Sequence, residues 1–132
     1  MQRTMMKSKI HRATVTGANV DYVGSISLDP DLMRAADIME FEQVHVVDIN
    51  NGSRLVTYAI VGAPGEVCLN GAAAHLVDVG DLVIVISYSA YDATELLAYE
   101  PRIVQVDTAN HAVDEATAKR LAGQRLYETI DA

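Results

Sequence analysis

The sequence predicts a mainly β fold, a small barrel. Three observations carry that prediction. Six or so short β-like runs are separated by turn residues, with few helices between them. The pair Asn51-Gly52 sits between two such runs and is a strong hairpin signal. Trp is absent and Phe41 is the only Phe, so Val, Ile, Leu and Ala must make most of the core.

Taken in order, Lys9–Ala18 alternates loosely and predicts a strand, and Tyr22–Leu28 predicts a second. Asp29-Pro30 predicts a helix start, with Asp as N-cap and Pro at the first helical position. Leu32, Met33, Ala35, Ala36 and Ile38 follow on that short helix. Val44–Ile49 and Arg54–Val61 predict the two arms of the Asn51-Gly52 hairpin. Gly62–Gly65 reads as a turn and Val67–Leu69 as a short strand. Asn70–Leu76 reads as a tight turn into one helical turn, and Val79–Asp81 as a turn feeding the strand Leu82–Tyr88. Arg102–Asp107 predicts the last strand. Beyond it, Glu115–Ile130 has apolar residues four apart, with Gly123 interrupting them, and reads either as a docked helix or as a loosely ordered tail.

The 132 residues suffice for one domain with a normal core. We place that domain at residues 1–108, with a tail at 109–132. The longest apolar run, Leu82–Ile86, is too short to span a bilayer. The N-terminus lacks the basic-then-apolar order of a signal peptide, so a cytoplasmic protein with no membrane partner is expected. Cys68 is the only cysteine, and His45, His75 and His111 lack ligand spacing, so no disulfide and no metal is expected. A net charge of −8 argues against nucleic acid as a partner. The charge is unevenly placed. Residues 1–12 hold Arg3, Lys7, Lys9 and Arg12 with no acid, and Arg54 is the only Lys or Arg between Arg34 and Arg102. An isolated cation of that kind either closes a salt bridge, the more common case, or binds an anion.

The step Gly24-Ser25 carries candidate chemistry. A serine hydroxyl can attack the preceding carbonyl and turn the amide into an ester. β-Elimination of that ester leaves dehydroalanine, which hydrolyses to a pyruvoyl group. Glycine leaves the attack unobstructed. The competing reading is a glycine in a strand marking a bulge, and the local sequence alone favours it. Lys9 and His11 share one face of a strand, as do Arg54, Val56 and Tyr58, while Thr57 falls on the other face. Arg54 offers a fork for a carboxylate and Tyr58 a phenol that can deliver a proton. Asn70-Gly71-Ala72-Ala73 would expose backbone N–H groups to an anion or a carbonyl oxygen, or form an ordinary turn.

Together these segments resemble the L-aspartate α-decarboxylases, small pyruvoyl enzymes that make β-alanine for pantothenate synthesis. The residues that carry the resemblance are Arg3-Thr4-Met5, Lys7–Thr16, Asp21–Ser25, Asn51-Gly52, Arg54–Ile60, Asn70–His75 and Gly80–Ile84. It covers about residues 1–108, with the segment Gly62–Leu69 about two residues shorter than is usual. The resemblance implies a six-stranded double-psi β-barrel and a homotetramer with active sites between subunits. It implies cleavage at Gly24-Ser25 into residues 1–24 and 25–132, with a covalent pyruvoyl cofactor made from Ser25 and no metal. It leaves room for a helper protein in maturation.

By the same resemblance, Ser25 becomes the group that forms a Schiff base with L-aspartate, and Tyr58 is the proton donor. Thr57 assists cleavage beside Gly24 and also contacts substrate. Arg54 and Lys9 meet the substrate carboxylates. His11, Tyr22, Asn70, Gly71, Ala72 and Ala73 line the pocket. Two alternatives stand beside this reading: an unprocessed, non-catalytic barrel acting as a binding or assembly module, and a self-cleaving hydrolase that keeps Ser25 as an N-terminal nucleophile.

Overall fold

The structure, a computed structural model, describes residues 1–114, 116, 117 and 120. The helix or tail considered over Glu115–Ile130 falls mostly outside them. The fold is mainly β. Nine strands form one sheet: β1 Arg3–Thr14, β2 Gly17–Asn19, β3 Ser25–Leu28, β4 Gln43–Asp48, β5 Arg54–Val61, β6 Val67–Asn70, β7 Leu82–Tyr91, β8 Arg102–Val106 and β9 Ala112–Val113. Helix α1 spans Pro30–Ala35, α2 spans Ala93–Leu96, and a 3-10 helix spans Gly71–Leu76.

The strand order β2-β6-β3-β5-β4-β7-β1-β8-β9 requires the sheet to roll. β1 and β2 lie six positions apart in that order, which is about 29 Å in a flat sheet. Only Val15 and Thr16 join them along the chain. The sheet therefore curls until β2 comes round to β1, with Val15 N–H still bonding Asp81 O on the β7 side and Thr16 N–H already bonding Val67 O on the β6 side, at 2.9 and 2.8 Å. Alternate residues of the strands then face one interior. Ile10, Ile26, Leu28, Val44, Val46, Leu69, Val83 and Val85 fill it at 0% exposure.

Where the sequence suggests six or so strands, the described residues form nine. The first expected strand breaks at Val15-Thr16 to turn the corner, and β9 forms by pairing with β8. The expected second strand starts only at Ser25, because Asp21 and Tyr22 N–H groups bond back to the Asn19 side chain and carbonyl. Gly24 thus lies in a bend before the strand, not in a bulge within it. β1 does contain a bulge, at Ile10–Ala13, where Arg12 takes a φ of 65°. The β4–β5 hairpin forms as expected. Its connection is residues 49–53, longer than a two-residue turn, since the Asp48 carboxylate accepts from the N–H groups of Asn50 and Asn51. α1 starts as the sequence predicts, with the Asp29 carboxylate accepting from Asp31 N–H. α2 was not expected, although Asp92-Ala93-Thr94-Glu95 carries a full capping box.

One side chain missed in the sequence holds three segments together. Asn110 is 1% exposed, at a φ of 64°. Its Oδ1 accepts from Thr14 N–H, and its Nδ2 donates to the Thr14 and Gly65 carbonyls, at 2.7 to 2.9 Å. Asn110→Ala strands these buried groups and should cost about 3 kcal/mol. Urea unfolding should show a lower midpoint at an unchanged slope.

Candidate active site

Ser25 opens β3 at 1% exposure. β3 pairs antiparallel with β6, which sets Ser25 opposite Asn70 and Ser27 opposite Cys68. The Asn70 carboxamide donates to Ser25 Oγ at 3.0 Å, and Ser25 Oγ donates to the Val23 carbonyl at 2.9 Å. The hydroxyl is thereby turned back along the chain, toward the peptide that precedes it.

Gly71 follows Asn70 at a φ of 69°. A Cβ there would lie 2.7 Å from Gly24 Cα and 2.9 Å from Gly24 N. The absent side chain of Gly71 lets two backbones touch at the Gly24-Ser25 step. Gly24 itself has open space where its own Cβ would be, so its glycine is not demanded by packing on that side. Ala72 is exposed and Ala73 half-buried on the 3-10 helix that starts here.

β3 also pairs in parallel with β5, Ser27 opposite Ile60 and Ile26 opposite Ala59. Counting back two residues on each strand puts Tyr58 on the same sheet face as Ser25, Ser27, Asn70 and Cys68. A cleft of about 380 Å³ opens on this face, lined by Tyr22, Ser27, Ile60, Glu66, Cys68 and Asn70 among others. Tyr22 is half exposed on its rim. Thr57 faces the other way, toward the core, between Leu55 and Ala59. The β4–β5 pairing runs without a bulge, so nothing brings Thr57 round to the Tyr58 face.

Lys9, His11 and Arg54 lie elsewhere. Lys9 pairs with Ile86, Ile86 with His45, and His45 with Val56, one row across β1, β7, β4 and β5. Arg54, Val47 and Ile84 make the next row of the same outward face. Arg54 lines a second cleft of about 480 Å³ with Thr4, Gln43, His45 and Tyr88. Four residues of extended strand separate Arg54 from Tyr58, about 13 Å. Among the described residues, neither Lys9 nor Arg54 closes an ion pair; the salt-bridge expectation for Arg54 is not met. His11 Nδ1 and Arg12 Nε are buried without partners among the described residues. Burial, then the charges of Lys9 and Arg12, lower the His11 pKa, so its ring is neutral near pH 7.

One chain therefore brings Tyr22, Gly24, Ser25, Tyr58, Asn70 and Gly71 to one end of the outward face and leaves Lys9, His11 and Arg54 at another. The cleft beside Ser25 holds Glu66 and, in its lining, no cation. Ser27 and Cys68 were missed in the sequence. The two-residue steps Ser25–Ser27 and Cys68–Asn70 on strands are the signal that could have found them.

The chain is thus a small, mainly β barrel protein with a candidate nucleophile, a buried serine hydroxyl held beside a tight glycine turn. Compared with known protein families, the chain matches the aspartate decarboxylase family over residues 1–113. It belongs to that family and is a lyase acting on aspartate. The match extends past residue 108, where the resemblance read from the sequence stops, and takes in the Asn110 staple and β9.

Proposed function

We propose that this chain cuts itself at Gly24-Ser25 and decarboxylates L-aspartate to β-alanine and CO2, the β-alanine serving pantothenate synthesis. The observation that carries the proposal is the Ser25 hydroxyl held between the Asn70 amide and the Val23 carbonyl while Gly24 rests on Gly71. In the cut, Ser25 Oγ bonds to the Gly24 carbonyl carbon and the bond from that carbon to the Ser25 nitrogen breaks. The nitrogen takes up the proton that the hydroxyl loses. Loss of the Ser25 Cα proton then expels the Gly24 carboxylate, and water replaces ammonia to leave a pyruvoyl group on residue 25.

The residues present fit such a group. Asn70 supplies an amide donor and Gly71 supplies room that a Cβ would fill. The pyruvoyl group supplies a ketone for the substrate amine and a sink for the electron pair that the departing carboxylate leaves. Tyr58 sits on the same face and delivers the proton that replaces CO2. Tyr22, Asn70 and the Ala72-Ala73 backbone wall the pocket.

A dicarboxylate needs positive charge that the cleft beside Ser25 does not contain. Arg54 of the same chain lies too far along β5 to reach an aspartate at Ser25. Lys9 and Arg54 therefore serve the Ser25 of another copy, with neutral His11 lining the same pocket, in a homotetramer with sites between subunits. The lack of an ion pair at Lys9 and Arg54 among the described residues supports this reading. Arg54→Ala should lower kcat/KM about 10–100-fold, the worth of charged hydrogen bonds to a carboxylate, and leave cleavage intact. Steady-state β-alanine formation and intact mass read the two effects, and an uncleaved Arg54→Ala protein would make Arg54 structural. Borohydride with aspartate should trap a reduced adduct on the larger fragment. Two fragments that form no such adduct would favour an N-terminal serine hydrolase.

A further inference from the structure

The Asn70 carboxamide is fully engaged, and two side chains with no role so far engage it. Its Nδ2 donates to Ser27 Oγ at 3.0 Å as well as to Ser25 Oγ. Its Oδ1 lies 3.4 Å from Cys68 Sγ, whose other acceptor, the Leu69 carbonyl, is more distant at 3.9 Å. Both amide protons thus go to serine oxygens and the amide oxygen receives the thiol proton. We propose that Ser27 and Cys68 are positioning residues for self-cleavage, locking the Asn70 carboxamide in the orientation that aims an N–H at Ser25 Oγ. The proposal rests on the self-cleavage reading above and adds to it what orients the donor.

The geometry accounts for why both partners are needed. An Asn side chain can turn its oxygen and nitrogen about, and serine hydroxyls can donate as readily as accept. Ser25 and Ser27 alone would therefore permit the reversed amide, with its oxygen toward Ser25. In that orientation Ser25 would donate its proton to Asn70 and lose its bond to Val23. The thiol breaks the tie, because a protonated thiol offers its hydrogen to an oxygen. Burial, with Glu66 adding to it, raises the Cys68 pKa and keeps the thiol protonated. The thiol is also confined. A Cβ on Gly17 would come within 3.1 Å of Sγ, so the glycine of β2 leaves the sulfur its place. Ser27 then fixes the rotation of the amide plane by taking its second proton.

The test follows self-cleavage by intact mass over time in the full chain and in Ser27→Ala, Cys68→Ala and Cys68→Ser. Thermal midpoints are measured alongside. Ser27→Ala and Cys68→Ala should each slow cleavage about tenfold, the kinetic equivalent of one hydrogen bond. Cys68→Ser keeps a donor and should cleave within about threefold of the unaltered chain, on the same bookkeeping. A merely structural role for Cys68 would make Ser and Ala variants alike in rate, or make rate follow thermal midpoint, and either result overturns the proposal. Unaltered rates in Ser27→Ala and Cys68→Ala overturn it too, while leaving self-cleavage standing. An unaltered chain that stays whole overturns self-cleavage, and this proposal with it.

Discussion

Ser25→Ala should yield one uncleaved chain and no detectable β-alanine. Alanine has no oxygen to attack the Gly24 carbonyl, so the ester that precedes cleavage cannot form, and no ketone appears at residue 25. The change is otherwise slight. It removes the bonds to Asn70 and Val23, yet Asn70 keeps Ser27 and Cys68 as partners. The loss of stability should be about 1–2 kcal/mol, small beside the 5–15 kcal/mol of a typical domain. A folded, uncleaved, inactive protein is the expected outcome. Intact mass and circular dichroism report it together. Two fragments from Ser25→Ala would show that the cut does not use this hydroxyl. The unaltered chain should give two fragments, the larger lacking the mass of ammonia relative to a serine start.

Gly71→Ala should block or greatly slow cleavage while leaving Ser25 in place. Two costs coincide there. The left-handed backbone at a φ of 69° penalises any Cβ by about 1–2 kcal/mol. The new methyl would also meet the Gly24 backbone at 2.7 and 2.9 Å, closer than real Cβ atoms approach. Backbone has no flexible end to swing away, so the Gly24-Ser25 step must shift. An attack that needs near contact between Oγ and a carbonyl carbon loses much of its rate when displaced by an ångström. A time course of intact mass, set beside the urea midpoint, separates the slowed cut from the general loss of stability. Cleavage at the ordinary rate in a folded Gly71→Ala protein would remove the backbone contact from the mechanism.

Much of the barrel was legible because its signals are local. Val44–Ile49 and Arg54–Val61 read as strands, Asn51-Gly52 turns, and Asp29-Pro30 caps a helix, and all three features appear close to where the sequence puts them. Where a strand would begin or end was less legible. β3 starts at Ser25 because Asn19 captures the N–H groups before it, and β1 stops at Thr14 because the sheet must turn its corner. Both depend on partners distant in sequence or on a turn that competes with the strand. Asn110, Ser27 and Cys68 were silent for the same reason, since a single polar residue shows nothing until its partners are beside it.

The candidate site divides along the same line. The sequence by itself determined the chemistry available: a serine after a glycine, a phenol, an amide, and cations set apart from the acidic remainder. It also determined parity, hence the opposite faces of Thr57 and Tyr58, because side chains alternate along any strand. The tertiary structure alone decided which groups meet. Pairing between β3 and β6 brings Asn70 and Gly71 onto Gly24-Ser25. The order of β1, β7, β4 and β5 carries Lys9 to the far part of the same face, and Arg54 lies four residues along β5 from Tyr58. Strand register is a long-range property, fixed by which apolar faces bury together, and for that reason no local pattern could place the serine beside its amide.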